Sequence, residues 1–272
     1  MYSKLSEMNP DLSSRRVWIT GASSGIGEQL AYACARRGAA LILSARNKEA
    51  LEQVKSRCEG AKEVTVLPVD LASVQSIEQA VSRVRSEAKV PDILIHNGGR
   101  SQRSFALDTP MEIDRSLMEV NYFGPVELTK RIVPDMLKNG GGQLIVMSSL
   151  AGKWGFYERS AYAASKHALH GFFETLRLEN ESKGLRVALV TPGFIATDIS
   201  KHAVDARGNA SGEMDPNQAK GMPADKCAEL ILKNALAGKE EFGVGGKELN
   251  ALWIHRYFPK LFGSIIRKQS PR

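Results

Sequence analysis

Short apolar runs alternate with longer amphipathic stretches along most of this 272-residue chain. The runs cover 17–20, 40–44, 64–67, 92–96, 143–147 and 186–190. They lack the in-out alternation of half-exposed strands and match parallel strands covered on both faces. Between them, 25–37, 48–57, 74–88, 111–138 and 160–183 carry apolar residues at helical spacing. The fourth of these stretches opens with a capping-box pattern: Thr109 at the N-cap, Pro110 next, Glu112 at the third position. Gly184 follows the fifth as a C-cap. Strand and helix in strict alternation imply right-handed crossovers and one parallel sheet with helices on both faces. With 241–244 as the last strand, the prediction is a single-domain, doubly wound α/β fold around a seven-stranded parallel sheet. No linker or repeat divides residues 1–248, the catalytic body; residues 249–272 form a separate amphipathic tail.

Composition narrows the function. Hydrophobic residues make up 43% of the chain, enough for one sizeable core. No stretch approaches the roughly 18 apolar residues of a membrane span, and Met1 to Glu7 has no apolar signal core. Cys34, Cys58 and Cys227 are odd in number, scattered, and form no Cys-x-x-Cys pair. Neither a disulfide framework nor a metal site is expected, and a reducing, cytoplasmic compartment fits. The net charge is +7, but Arg256, Lys260, Arg267, Lys268 and Arg272 carry five of those charges in a tail without acids. A nearly balanced body argues against a nucleic-acid partner.

The chemistry sits at the strand ends. The first strand runs into Thr20-Gly21-Ala22-Ser23-Ser24-Gly25-Ile26-Gly27. Glycines there let backbone approach a ligand closely, and the following helix presents unpaired N–H groups to a pyrophosphate, as in Rossmann dinucleotide sites. The same residues also spell G-x-S-x-G, a nucleophile elbow with Ser23 as nucleophile. That hydrolase reading leaves Gly27 and the later Tyr/Lys pair without a use. The second strand ends in Arg46, with no acid beside it. An acid there would bind the ribose 2′-hydroxyl; an arginine accommodates a 2′-phosphate, so NADP(H) is expected over NAD(H). Tyr162 and Lys166 stand one turn apart on a helix. An ammonium beside a phenol lowers its ordinary pKa of ~10 and equips it for proton transfer.

Together, Thr20 to Gly27, Asp70, Asn97-x-Gly99, Asn121, Ser149, the Tyr162-Ala-Ala-Ser-Lys166 run and Pro192-Gly193 with Thr197 resemble the short-chain dehydrogenases/reductases over nearly the whole chain. The stretches after Asn121 and around Tyr162 are similar to the microsomal, hydroxysteroid-dehydrogenase-like branch. The resemblance implies that Tyr162 is the general acid/base. It implies that Lys166 lowers the tyrosine's pKa and holds the nicotinamide ribose, and that Ser149 bonds the substrate oxygen. Asn121 would interrupt its helix and hold a relay water. Cofactor contacts would come from Gly21, Ser23, Ser24, Gly25, Ile26, Gly27, Arg46, Asp70, Leu71, Asn97, Gly98, Tyr162, Lys166, Pro192, Gly193, Ile195 and Thr197. It also implies a homodimer or homotetramer. One departure is His96-Asn97-Gly98-Gly99 where the family has Asn-Asn-Ala-Gly; His96 reads as a local packing change. A cofactor sensor that keeps the fold without turnover is the alternative reading.

Trp154, Phe156, Tyr157 and Phe194 flank the catalytic positions and predict a mainly apolar pocket for a ketone, aldehyde or alcohol substrate of steroid-, lipid- or aryl-like character. Residues 198–221 read as a lid loop. In the tail, apolar residues recur at helical spacing with bases between them, interrupted by Pro259 and Gly263. Such a stripe either packs on the protein or a second subunit, or contacts an anionic membrane surface.

Overall fold

The computed structural model describes residues 11–268; Met1 to Glu7 and Arg272, read above for targeting and charge, lie outside them. Seven parallel strands form the central sheet: β1 (Arg16–Thr20), β2 (Ala40–Ser44), β3 (Glu63–Val66), β4 (Ile93–His96), β5 (Gly142–Met147), β6 (Leu185–Pro192) and, further on, β9 (Glu241–Val244). The spatial order β3-β2-β1-β4-β5-β6-β9 reverses between β1 and β4. That switch point opens a crevice at the strands' C-terminal ends. A two-residue parallel pair, β7 (Ile195–Ala196) with β8 (Met222–Pro223), stands outside the sheet.

Alternation along each strand sorts the core into two layers. Val17, Ile19, Leu41, Leu43, Ile95 and Ile145 face α1 (Gly25–Ala35), α2 (Lys48–Ser56) and α8 (Ala224–Leu236). Trp18, Ile42, Leu94, Leu144, Val187 and Leu189 face α3 (Val74–Ser86), α5 (Gly124–Lys138) and α6 (Ser160–Asn180). Because successive side chains of a strand point to opposite faces, uniformly apolar runs are what a doubly covered sheet requires.

The predicted helix over 111–138 divides. It comprises α4 (Met111–Met118), a π-helical turn (Glu119–Phe123) and α5, so Asn121 sits where the helix is widened and underwound. The capping box at its start is not formed. Pro110 occupies the N-cap position without a side-chain cap bond. The Thr109 hydroxyl instead donates to the Phe105 carbonyl at 2.7 Å and meets Ser104 Oγ at 2.7 Å. A buried polar cluster around Gln102 has recruited it. At the other end of α6, a 3-10 turn (Glu181–Lys183) carries the chain to Gly184, whose φ of 89° ends the helix as expected.

The tail forms α9 (Asn250–Tyr257) and α10 (Pro259–Arg267), meeting at Phe258. One face packs: Phe262 is buried against Trp154, 4.8 Å between ring centroids, with Leu252, Ile254 and Ile266 around them. The other face is open. Trp253, Tyr257, Phe258, Leu261 and Ile265 are exposed, and Trp253 stacks on Tyr257. The short α7 (Pro216–Ala219) lies in the loop before β8.

His96 is a packing group. It is buried, stands 5.5 Å from the Phe173 ring, and pairs its Nε2 with Thr129 Oγ1 at 2.8 Å. Thr129 gives its own proton to the Pro125 carbonyl, so the imidazole carries its proton on Nε2, and Nδ1 has no partner. Burial pushes the His96 pKa from 6.5 down to about 3. The unfolded chain therefore binds a proton that the folded one refuses, and stability falls as pH drops below 6.5. In urea unfolding, His96→Asn is expected to lose about 2 kcal/mol less than the wild type on going from about pH 7.5 to 5. Parallel losses in the two proteins would show that His96 does not contribute to acid sensitivity.

Candidate active site

Two cavities meet at the C-terminal ends of the strands. A groove of about 500 Å³ runs over the glycine-rich turn, and a chamber of about 600 Å³ lies beyond it. They share Ile26, Asn97, Gly99, Ser101, Thr197 and Ile199, so they form one cleft.

The groove is made by close backbone approach. Gly21 and Gly25 have φ of 65° and 58°, where a side chain is strained. A Cβ on Gly21 would stand 2.7 Å from Gly98 Cα, and one on Gly27 would collide with the Gly21 carbonyl. Asn97 binds the turn to β4: its Nδ2 donates to the carbonyls of Thr20 at 3.3 Å and Gly21 at 3.0 Å. Thr20 Oγ1 accepts from the amides of Asn97 and Gly98, both at 3.2 Å. Asn97 thus shapes the floor as well as facing the cleft. Ser24 precedes α1 without a side-chain cap bond, leaving the helix's first amides open to the groove. Ser23, Asp70, Leu71 and Arg46 also line it. Ser23 and His202 both line the groove, and among the described residues no hydrogen bond joins them.

Arg100 is a cation the sequence reading passed over. It lines the groove with Arg46, and its backbone is clamped by Asn121: Oδ1 accepts from the Arg100 amide at 2.8 Å, and Nδ2 donates to its carbonyl at 2.9 Å. Burial, then the nearby Arg46 guanidinium, pushes the Arg100 pKa down against the pull of Asp70. Two guanidiniums held at one end of a groove repel each other until an anion lies near them.

The chamber holds Ser149, Tyr162 and Lys166. The neighbouring serines divide by partner. Ser148 Oγ is turned to His170 Nε2 at 2.9 Å and the Lys166 carbonyl, whereas Ser149 Oγ accepts from the Ala151 amide at 3.1 Å and lies close enough to Tyr162 to pull the phenol's pKa down. The Lys166 ammonium is buried, donates to the Met147 carbonyl at 2.8 Å, and stands 5.8 Å from the Tyr162 ring centroid. Asn121 does not reach it; its second amide proton goes to Ser165 Oγ at 3.1 Å. Gly99 lies between them, since a Cβ there would be 3.0 Å from Asn121 Oδ1 and 3.6 Å from Lys166 Nζ.

The expected electrostatics need correction. Burial pushes Tyr162 above its ordinary value, and Ser149 and then Arg159 oppose that shift. Lys166 is not what opposes it; the ammonium points to Met147, and desolvation pushes its own pKa down to about 8. Tyr162 is therefore a protonated phenol in this site, set up to give a proton.

Phe156, Tyr157 and Phe194 line the chamber, but Trp154 does not. Trp154 lies beneath α9 and α10, where its ring contributes more burial than an open wall would allow. The turn of Pro192, Gly193, Ile195 and Thr197 covers one side. Glu248, just ahead of the tail, holds that turn: its Oε1 accepts from the amides of Phe194 at 2.9 Å and Gly246 at 2.8 Å. The chamber is more apolar than polar, as expected, but it is not uniformly so. Arg103, Glu158, Arg159 and Asp215 line it too. Nothing in local periodicity flags Glu248, Arg103 or Asp215, because each acts on a distant part of the chain. To one side, His170, Glu174 and Glu241 bring ligand atoms within 4.8 Å of one another. The Lys153 ammonium already stands among them, 2.5 Å from Glu241 and 3.2 Å from His170.

Comparison with known proteins agrees with this geometry. The family profile for short chain dehydrogenase matches residues 15–208. A dehydrogenase/reductase SDR family protein 7-like from Drosophila melanogaster is 40% identical over 265 residues, 95% of this chain and 81% of that one. The human dehydrogenase/reductase SDR family member 7 is 39% identical, covering 92% and 76%. Among solved structures, a short-chain dehydrogenase from Sphingobium yanoikuyae in complex with NADPH superimposes with a TM-score of 0.75 at 26% identity, covering 95% and 96%. An alcohol dehydrogenase from Thermococcus sibiricus complexed with 5-hydroxy-NADP gives 0.73 at 25%, covering 86% and 97%. The chain belongs to the short-chain dehydrogenase family, in the branch of dehydrogenase/reductase SDR family members 7 and 7B.

Proposed function

We propose that this protein is an NADP(H)-dependent oxidoreductase that interconverts a carbonyl and an alcohol. The observation that carries the reading is the convergence of Ser149, Tyr162 and Lys166 in a chamber continuous with the glycine-lined groove. The groove fits a dinucleotide. Its glycines stand where a Cβ would fill the cradle, and the first amides of α1 are free for phosphate oxygens. Gly21, Ser23, Ser24, Gly25, Ile26 and Gly27 would hold the pyrophosphate, with Asp70, Leu71, Asn97 and Gly98 along the adenosine side. Lys166 and the 192–197 turn would meet the nicotinamide end. A reduced nicotinamide supplies a hydride when bound. Ser149 orients the substrate oxygen, and Tyr162 holds at its Oη the proton that this oxygen takes up. Asn121 acts through structure, clamping Arg100 and keeping the π-helical turn beside Lys166.

The preference for NADP(H) rests on Arg46 and Arg100 at one end of the groove, and the neighbours solved with NADPH and 5-hydroxy-NADP support it. Titration of each cofactor, followed by a ketone panel, tests the reading. NADPH is expected to bind and be oxidised. Arg46→Ala should weaken NADPH by about ten- to a hundredfold, the weight of a charge-assisted contact, while NADH changes little. Equal losses for both cofactors would remove Arg46 from phosphate recognition. Binding without turnover across aryl, acyl and steroid ketones would leave a sensor.

The open face of the tail favours a second role. Five exposed apolar residues between 253 and 265 stand among Arg256, Lys260, Arg267 and Lys268, with no acid nearby in sequence. Among the described residues no helix is long and apolar enough to cross a membrane. We propose that this face rests on an anionic bilayer surface while the opposite face stays packed on Trp154. Flotation with anionic vesicles should recover the wild type at low salt. It should fail for Trp253→Ser/Phe258→Ser, whose changes touch only exposed positions. Equal flotation of both would refute the contact.

A further inference from the structure

The chamber has two unlike ends. Leu150, Phe156, Phe194, Ile195 and Ile199 supply apolar wall, whereas Arg103, Arg159 and Asp215 converge elsewhere on its surface. Arg103 Nη2 lies 2.5 Å and Arg159 Nη2 3.2 Å from one and the same atom, Asp215 Oδ2. The other oxygen, Oδ1, accepts from the Asn217 amide at 2.9 Å. All three side chains are mostly buried, with exposures of 23%, 16% and 13%.

Two guanidiniums on one carboxylate leave an excess positive charge out of water. Burial pushes the Arg159 pKa down, and Arg103 adds to it, which reports the same strain from the arginine's side. The rest of Arg159's bonding is thin: its Nη1 reaches Ser101 Oγ at 3.5 Å. Glu158 lines the chamber as well and, with Asp215, pulls the Arg159 pKa up from a distance, but among the described residues its carboxylate forms a salt bridge with neither guanidinium. A desolvated guanidinium needs a geometrically good anionic partner, and the planar fork of arginine is matched by a carboxylate. Arg159 is also the residue before the first turn of α6, three positions ahead of Tyr162, so the excess charge lies in the same chamber as the proton donor.

We infer that Arg103 and Arg159 form an anion-recognising end of the substrate chamber, and that the substrate is an amphiphilic oxo acid or hydroxy acid. Its carboxylate meets the guanidiniums, its apolar body lies along Phe156 and Phe194, and its carbonyl meets Ser149 and Tyr162. This deepens the carbonyl-alcohol reading above and rests on it. Asp215 acts as a resident counter-ion from the 198–221 loop, sharing the arginines with the ligand.

The test measures binding without turnover. Protein saturated with NADP+ is titrated calorimetrically with aryl and alkyl oxo acids of graded length, benzoylpropionate among them, and with their methyl esters. Ketone and oxidised cofactor cannot react, so the heats report affinity alone. The best acid is expected to bind at least about tenfold more tightly than its ester, the weight of a charge-assisted pair. Arg159→Gln and Arg103→Gln should each erase most of that preference while leaving ester affinity within about twofold. Arg159→Lys should recover part of it. Asp215→Asn removes the competing carboxylate and should raise the preference for the acid. Acids that bind no better than esters, or fail to bind with them, would overturn the inference. So would an Asp215→Asn variant that loses acid and ester equally, since that marks the triad as a loop latch. NADP+ that fails to bind in the first step would strike the cofactor reading, and this inference with it.

Discussion

A buried ammonium shapes this active site more than any other single group. Lys166 is 5% exposed, and burial alone pushes its pKa down to about 8. An ammonium in that position needs an acceptor, because a buried charge without one costs several kcal/mol. Met147 provides it: its carbonyl, at the end of β5, accepts a hydrogen bond from the Lys166 ammonium at 2.8 Å. The strand ends at Met147, and of the next residues Ser148 turns its hydroxyl to His170 while Ser149 lines the chamber. Gly99 and Asn121 complete the wall, the first by lacking a side chain and the second by spending its amide on Arg100 and Ser165. The lysine's charge makes folding less favourable below its unfolded pKa, so the site spends stability on function.

The same economy runs through the cleft. The β1–α1 turn approaches β4 so closely that glycine is required at 21 and 27, and Asn97 locks the two together. The segment leading into the tail reaches the chamber through Glu248, which holds the turn after β6, and the tail itself is anchored on Trp154, which carries α10. Packing and site are thus one construction, and the tail's open face is the part of it that packing leaves over.

The sheet was legible because doubly buried parallel strands read as uninterrupted apolar runs. The strands over 40–44 and 241–244 are found where expected, and the others differ by a residue or two at their ends. The cleft was legible because its residues lie at strand ends in chain order. The failures share one physical cause: tertiary contacts that overrule local pattern. Thr109 has the sequence of a cap but gives its hydroxyl to the cluster around Gln102. Trp154 has the position of a pocket residue but is drawn under α10 by Phe262. Spacing on one helix turn suggested that Lys166 depresses Tyr162, yet the ammonium turns to Met147 and burial raises the phenol. Arg103 and Asp215 meet across 112 positions, a pairing that no window of sequence contains.

The central claim is that Tyr162 delivers the proton in a carbonyl reduction that depends on NADPH. It is tested most directly by Tyr162→Phe, with NADPH binding followed by fluorescence and single-turnover NADPH oxidation by absorbance. Phenylalanine fills the same space and removes only the hydroxyl. The account requires NADPH affinity within about threefold of wild type and an oxidation rate lower by about 10²–10⁴-fold, the range of a lost general acid. Oxidation at the wild-type rate in that variant, with a ketone the wild type reduces, would contradict it.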